Sequence, residues 1–369
     1  MTRRLVILGS TVTALAVVRD AHAHGLQPVV VDTQDGIAFL SRWAQACRLP
    51  RDASDAHMHA RLLELAADGS WLIATGDPWL RRMMPQRAAL DEAYEAVLHP
   101  SNDALQICLD KHRFAEWCRQ HDLSAPLSWW VGSQERPPNL RAPFLIRPAE
   151  TLHGRNDAGL PKAVQAADEA ELAQWLRAFA DAECGALVSE SLLRSSLTQY
   201  SVPFARRDDE LMSFVARKVR PLPERCAVGT CVELSPNRDV EDLGRRAALA
   251  LDYFGVGEAE ILHDHATGRN YLIEINARPW LQYPLAPASH HDFLGLLVGA
   301  PRGDAVPLQA GRCWIDMRAD LFEAFSSSVG AVRNGDISAA SYLASLLRVN
   351  VFARFALRDP RPAWVGQNP

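Results

Sequence analysis

Lysine is almost missing from this sequence: of 39 basic residues only Lys111, Lys162 and Lys218 are lysines. Such a bias implies no function by itself. A chain that otherwise uses arginine can still keep a compact ammonium where a planar fork will not serve, as beside phosphates. Cysteine is sparse and unpatterned. The 7 cysteines include no C-x-x-C pair, which argues against a disulfide framework and fits reduced thiols in a cytoplasm. No apolar run approaches the roughly 20 residues that span a bilayer. The net charge of −5 gives no footing for general nucleic-acid or membrane-surface binding. Repeats and low-complexity segments are absent too. What remains is an ordinary globular composition over 369 residues, suited to two or three packed subdomains.

The N-terminus imitates a secretory leader, with MTRR, an apolar run and Ala21-His22-Ala23 as an A-x-A site. Arg19 and Asp20 interrupt that site, and the following LQPVVVD reads as a buried strand that needs a partner. Leu5–Leu8, Val12–His24 and Pro28–Asp32 instead make one strand–helix–strand unit, and an amphipathic helix around Asp55–Ala67 leads to the strand WLIAT and a GDPW turn. The first hundred or so residues therefore read as an open parallel sheet. Asp32 ends the second strand as in a dinucleotide-binding fold. However, GSTVTA supplies one glycine where the pyrophosphate fingerprint needs three, so an NAD site is a weak alternative.

The most informative stretch is Gly257–Trp280, GEAEILHDHATGRNYLIEINARPW. It reads as two strands around an Ala266-Thr267-Gly268 turn. Alternation puts Glu274 and Asn276 on one face and Tyr271, Ile273 and Ile275 on the other. A turn centred near Thr267 sets Glu260 opposite Glu274, with Arg278 just beyond. Like charges facing each other across a ladder destabilise it unless a cation intervenes. A few carboxylates and an amide oxygen suit Mg2+, which completes its octahedron with nucleotide phosphates and water. The alternative is an exposed acidic hairpin.

E-I-N-A-R-P-W with its upstream Glu resembles the metal-binding hairpin of the ATP-grasp superfamily, in its carboxylate–amine ligase-like branch. The resemblance runs from about Leu5 to about Leu296. It implies a mixed α/β and α+β fold: a Rossmann-like preATP-grasp domain (1–100), then an ATP-grasp domain (101–298) with lobes of about 101–190 and 191–298. Residues 299–369 form a C-terminal helical extension. ATP and Mg2+, with Mn2+ an alternative ion, are the implied cofactors, the metal being held by Glu260, Glu274 and Asn276.

By the same resemblance Lys111, in the D-K pair that follows a helix capped by Ser101 or Asn102, contacts the phosphates, although a solvated helix lysine is the plain alternative. Arg147 in FLIRP stands where the family usually has lysine. TLHGRNDAGLPK, with Lys162, resembles the mobile phosphate loop, and an ordinary surface loop reads equally well. Asp122-Leu123-Ser124-Ala125-Pro126 replaces a glycine-led helix exit. ALVSESLL resembles the adenine slot, read by backbone groups near Glu190, Ser191 and Leu192, and Gln199 is the nearest match to an acidic residue near the ribose. In FVARKVR, Phe214, Ala216, Lys218 and Arg220 share one strand face, which suits an anion or simply solvent. Arg278 and Lys218 are the candidate catalytic residues. His263/His265 and His290/His291 read as surface or supporting histidines in preference to a zinc site.

The implied activity is ligation of a small acid or amino acid to an amine through an acyl phosphate. Carboxylate–thiol ligation, a kinase-like transfer and nucleotide binding without turnover are the alternatives. Small-molecule substrates, no nucleic acid, no membrane and a possible homodimer complete the expectations.

Overall fold

The computed structural model describes residues 3–66, 69–132, 135–148, 160–161, 163–192, 197–220, 228–299, 311–326, 330–335 and 337–364. Lys162 and most of the TLHGRNDAGLPK loop lie outside them.

Five parallel strands open the chain, in the order Gln45–Arg48, Gln27–Asp32, Arg4–Leu8, Trp71–Ala74 and Ala96–Val97. The two central runs, VIL and VVV, are buried on both faces, as parallel strands covered by helices require. Gly9 turns from the first strand into the helix Val12–Ala23 at φ 103°, and a Cβ there would come 2.6 Å from Thr75 Oγ1. That glycine therefore serves packing. The Ser10 hydroxyl donates to Asp32 at 2.7 Å and the Gln34 amide donates to the same carboxylate at 3.0 Å. The acceptor a dinucleotide ribose would use is thus already engaged, which tells against the NAD alternative.

A four-stranded sheet follows, ordered Ser128–Trp130, Ala186–Glu190, Phe144–Pro148 and Val164–Ala166. The amphipathic helix Glu169–Asp181 covers it and is N-capped by Asp168. Phe144, Ile146, Leu172, Phe179 and Val188 make a core of its own. An eight-stranded sheet forms the remainder, with the hairpin Gly255–Asp264 and Arg269–Asn276 at one edge. Its core merges with that of the first sheet through Trp280, Tyr283, Phe293 and Phe214.

The helix exit at Asp122 carries a detail of local physics. Asp122 adopts φ 52°, the left-handed conformation a glycine would supply and one that Asp tolerates better than most residues. Ser124 then docks on the hairpin, its hydroxyl donating to Asn270 O at 2.6 Å and its carbonyl accepting from Leu272 N at 2.7 Å.

The last segment is more than helical. Cys313–Ile315 and Val351–Phe352 extend the large sheet beyond Cys231–Leu234. A buried ion pair fastens it: Arg220 donates to Asp320 at 2.8 and 2.9 Å and to Ser345 at 2.6 Å. Arg220 can reach these partners because a bulge after Lys218 shifts the register, pairing Lys218 with Val232 and Arg220 with Cys231. Adjacent partners point to opposite faces, so Arg220 does not share the face of Lys218, contrary to simple alternation.

The first helix is tied to the end of the large sheet's domain by polar contacts as well. Tyr283 Oη donates to Asp20 at 2.6 Å. His24 meets acceptors on both ring nitrogens, Asp20 O at 2.9 Å and Asp292 Oδ1 at 2.7 Å, a setting that only imidazolium satisfies. The Asp292 hydrogen bond, chiefly, raises the His24 pKa from 6.5 to about 9 against the effect of burial. A base whose pKa is raised on folding stabilises fully below its unfolded value, and the contribution is lost as pH climbs through the folded value. The urea midpoint is therefore expected to fall between pH 6.5 and 9, and His24→Gln to flatten that decline. Parallel curves for parent and variant would refute the tie.

Candidate active site

The hairpin has the expected central register, Glu260 opposite Glu274 and Glu258 opposite Asn276. Its turn is built by Asp264, whose carboxylate accepts from Ala266 N at 3.0 Å and Thr267 Oγ1 at 2.8 Å, while Gly268 takes φ 69°. Pairing then slips, Ile261 facing Leu272. The slip divides the apolar set that alternation placed on one face. Ile275 and Leu272 enter the main core, while Tyr271 and Ile273 gather with Leu192, Leu197 and Leu262 in a separate apolar cluster.

Glu258 is the functional-face carboxylate that sequence reasoning passed over, although it shares the parity of Glu260. It accepts from Asn276 Nδ2 at 3.0 Å and from the Ser201 hydroxyl. Gln199, expected near a ribose, instead donates to Glu260 at 2.5 Å from the adjoining strand. Asn276 turns its amide nitrogen toward the carboxylates, and its oxygen accepts from Arg278 at 3.1 Å. This orientation differs from the expected open amide-oxygen ligand.

Burial, first of all, raises the pKa of all three carboxyl groups. Glu274 reaches about 7, with Glu260 the next cause. Glu260 and Glu274 keep part of their surface accessible, so the patch is an enclosed wall open on one side. Cations gather around it. Arg147, Lys111 and Arg278 all act at Glu274 to favour its charged form, and Lys218 and Arg278 act likewise at Glu258 and Glu260. Lys111 is the first residue of the helix Lys111–Gln120, capped by Asp110. Burial and then Arg147 lower its pKa. Arg147 lies on the strand Phe144–Pro148 of the four-stranded sheet, so the cations come from different sheets.

Arg278 is held by Asp77, which follows the fourth strand of the first sheet, a contact with no local sequence signal. Its Nε donates to Asp77 at 2.7 Å and its Nη1 to Pro279 O at 3.3 Å. Asp77 is the first residue of the helix Asp77–Met83, where the sequence suggested a GDPW turn. With Asn276 as the third acceptor, two of the five guanidinium donors are left for another ligand.

The expected adenine segment is partly committed. Glu190 N donates to Leu127 O at 3.0 Å, and its carboxylate accepts from Leu127 N at 2.9 Å. Ser191 N donates to Pro143 O at 2.9 Å. Leu192 is buried in the apolar cluster of Leu262 and Tyr271. His263 bonds to Asn270 and His265 to Thr198, in keeping with supporting roles.

Among the described residues, no three His, Cys, Asp or Glu side chains close into a protein-only metal cage.

No family model matches the sequence, and no curated protein matches it. Solved structures do. An N5-carboxyaminoimidazole synthetase from Staphylococcus aureus complexed with ADP is 13% identical and matches over 84% of this chain and 81% of its own, with a TM-score of 0.65. An L-amino acid ligase from Bacillus licheniformis is 14% identical over 85% and 78%, with a TM-score of 0.62. The biotin carboxylase domain of a Hydrogenobacter thermophilus 2-oxoglutarate carboxylase, in complex with MgADP and bicarbonate, is 14% identical over 85% and 74%, with a TM-score of 0.63. The chain has the ATP-grasp fold.

A carboxyl whose pKa is raised on folding costs stability above its unfolded value, and the cost is complete above the folded one. Without metal, Glu274→Gln is therefore expected to raise the urea midpoint at pH 8, and the gain to vanish below about pH 4.5. A lower midpoint at pH 8 would contradict the assigned electrostatics.

Proposed function

We propose that the chain is an ATP-dependent, ADP-forming carboxylate–amine ligase that joins an amino acid or small carboxylic acid to an amine. One observation carries this reading: Glu260 and Glu274 face each other on an ATP-grasp hairpin amid the charges of Lys111, Arg147, Lys218 and Arg278. The ligands named in the solved relatives, ADP and MgADP, supply the nucleotide class. The apolar cluster of Leu192, Leu262, Tyr271 and Ile273 offers a floor for a purine ring.

Glu260 and Glu274 would hold Mg2+, with Asn276 contributing its oxygen after half a turn of the amide. The ion supplies charge neutralisation at the phosphates. Lys111 and Arg147 hold phosphate oxygens from the opposite side, and Lys218 approaches along the sheet. Arg278, released from Asn276 by that turn of the amide, offers its three remaining donors to the substrate carboxylate, fixed in aim by Asp77. A carboxylate oxygen attacks the γ-phosphorus and ADP leaves. The amine nitrogen then attacks the acyl carbon, phosphate leaves and the nitrogen gives up a proton, while Arg278 stabilises the tetrahedral oxyanion. Positioning and fixed charge supply most of such catalysis. The division into 1–100, 101–298 and 299–369 follows this reading, as do a cytoplasmic setting and a possible homodimer.

The test is thermal unfolding without ligand, with ADP, with Mg-ATP and with NAD. A ligand at a hundred times its Kd stabilises by about 2.7 kcal/mol. Mg-nucleotide is expected to raise the Tm, NAD to leave it unchanged, and Glu274→Ala to abolish the Mg-dependent shift. Acid–amine pairs that release ADP and phosphate then define the substrates. No shift with nucleotide well above millimolar concentration would sink the ligase reading.

A further inference from the structure

We infer that His99 is a positioning residue of this site, an imidazole strut that sets Asn276 and Arg278 toward the Mg-nucleotide. The inference rests on the nucleotide-binding reading above. His99 is fully buried. Its Nε2 accepts from Ala74 N at 2.7 Å, and its Nδ1 donates to Ala277 O at 3.0 Å. These contacts require the neutral ring with its proton on Nδ1, since an imidazolium would aim a second N–H at the Ala74 amide. Burial, then the charge of Arg87, holds its pKa down at about 3.

Both contacts fall where the sheets stop. Asn276 is the last hairpin residue paired to the neighbouring strand, so the Ala277 carbonyl lies beyond the ladder. Ala74 ends its strand, and the neighbour Ala96–Val97 pairs only as far as Leu72. The ring fills the place of the missing ladder on both sides. Its own backbone is anchored: Arg87 donates to His99 O at 3.0 Å and to Pro100 O at 2.6 Å. The Asp77–Arg278 pair, 2.7 Å long, joins the same two chain segments by their side chains. His99 joins them by their backbones. With both ties in place, the direction of Arg278 and the pitch of Asn276 are set by the first domain before any ligand arrives.

A purely structural histidine and a positioning one separate in the metal dependence of nucleotide binding. His99→Asn keeps a donor near Nδ1 for Ala277, whereas His99→Gln keeps an acceptor near Nε2 for Ala74 and gives up the donor. The probe is ADP, titrated calorimetrically with and without Mg2+. His99→Gln is expected to weaken Mg-ADP about tenfold while metal-free ADP stays within about twofold, and His99→Asn to restore the parent Mg2+ dependence. Equal losses with and without Mg2+, or no rescue by asparagine, would reduce His99 to a folding residue. Imidazole nitrogen resonances of the unmodified protein give a readout independent of the variants. The Nδ1–H signal is expected to shift with Mg-ADP and not with ADP alone, and a signal indifferent to both overturns the inference. A parent that binds ADP without any Mg2+ dependence would bring down the ligase reading first, and the strut with it.

Discussion

Two carboxylates directly opposed on neighbouring strands repel, and most of the site can be understood as the means of keeping Glu260 and Glu274 in that arrangement. A sheet edge free to slip would separate them. Here Asp264 fixes the turn at one end, and Ser124 grips the outer strand through Asn270 and Leu272. Gln199 and Ser201 donate to Glu260 and Glu258 from the third strand. Neutral donors of this kind hold carboxylates without quenching their charge, whereas a direct salt bridge would compete with a metal ion. Lys111, Arg147, Lys218 and Arg278 lower the electrostatic cost of the carboxylate charges.

The first domain then acquires a chemical reason to be present. It contributes a carboxylate, Asp77, that aims the one arginine of the hairpin end, and it packs a common core with the large sheet. Removing Asp77 would leave a largely buried guanidinium short of its main counter-charge, a costly state. The small lobe keeps a separate core and carries Arg147. Under the proposed function, that division would let one wall be referenced rigidly to Glu260 and Glu274 while the other brings Arg147 toward the phosphates.

The sequence made the regular elements legible because their period and burial are local properties. VVVD, WLIA and FLIRP all became strands, and Ser101 caps a helix. The opposition of Glu260 and Glu274 was legible for the same reason, a short turn between alternating strands. Bulges were not. One extra residue near Ile273 and another near Val219 reverse the faces of everything beyond them, so Tyr271 and Arg220 went to the wrong side by parity alone. Asp77 and His99 are hidden for a different reason: their partners lie 201 and 178 residues away. Only Glu258 could have been caught, by extending the count of the Glu260 face two residues upstream.

The scarcity of lysine gains meaning at Lys111. The first position of a helix lies against the positive end of the macrodipole, where a cation is disfavoured by some tenths of a kcal/mol. Burial opposes its charge further, and Arg147 adds repulsion. Arginine, the residue this chain uses almost everywhere else, would meet the same field with a bulkier, planar head. Helix stability therefore gives no reason for a cation at this position. An anion on the far side of the ammonium would offset these influences. The carboxylate of Glu274 already acts there, and nucleotide phosphate drawn between Lys111 and the carboxylate-held metal would complete the alternation of charge.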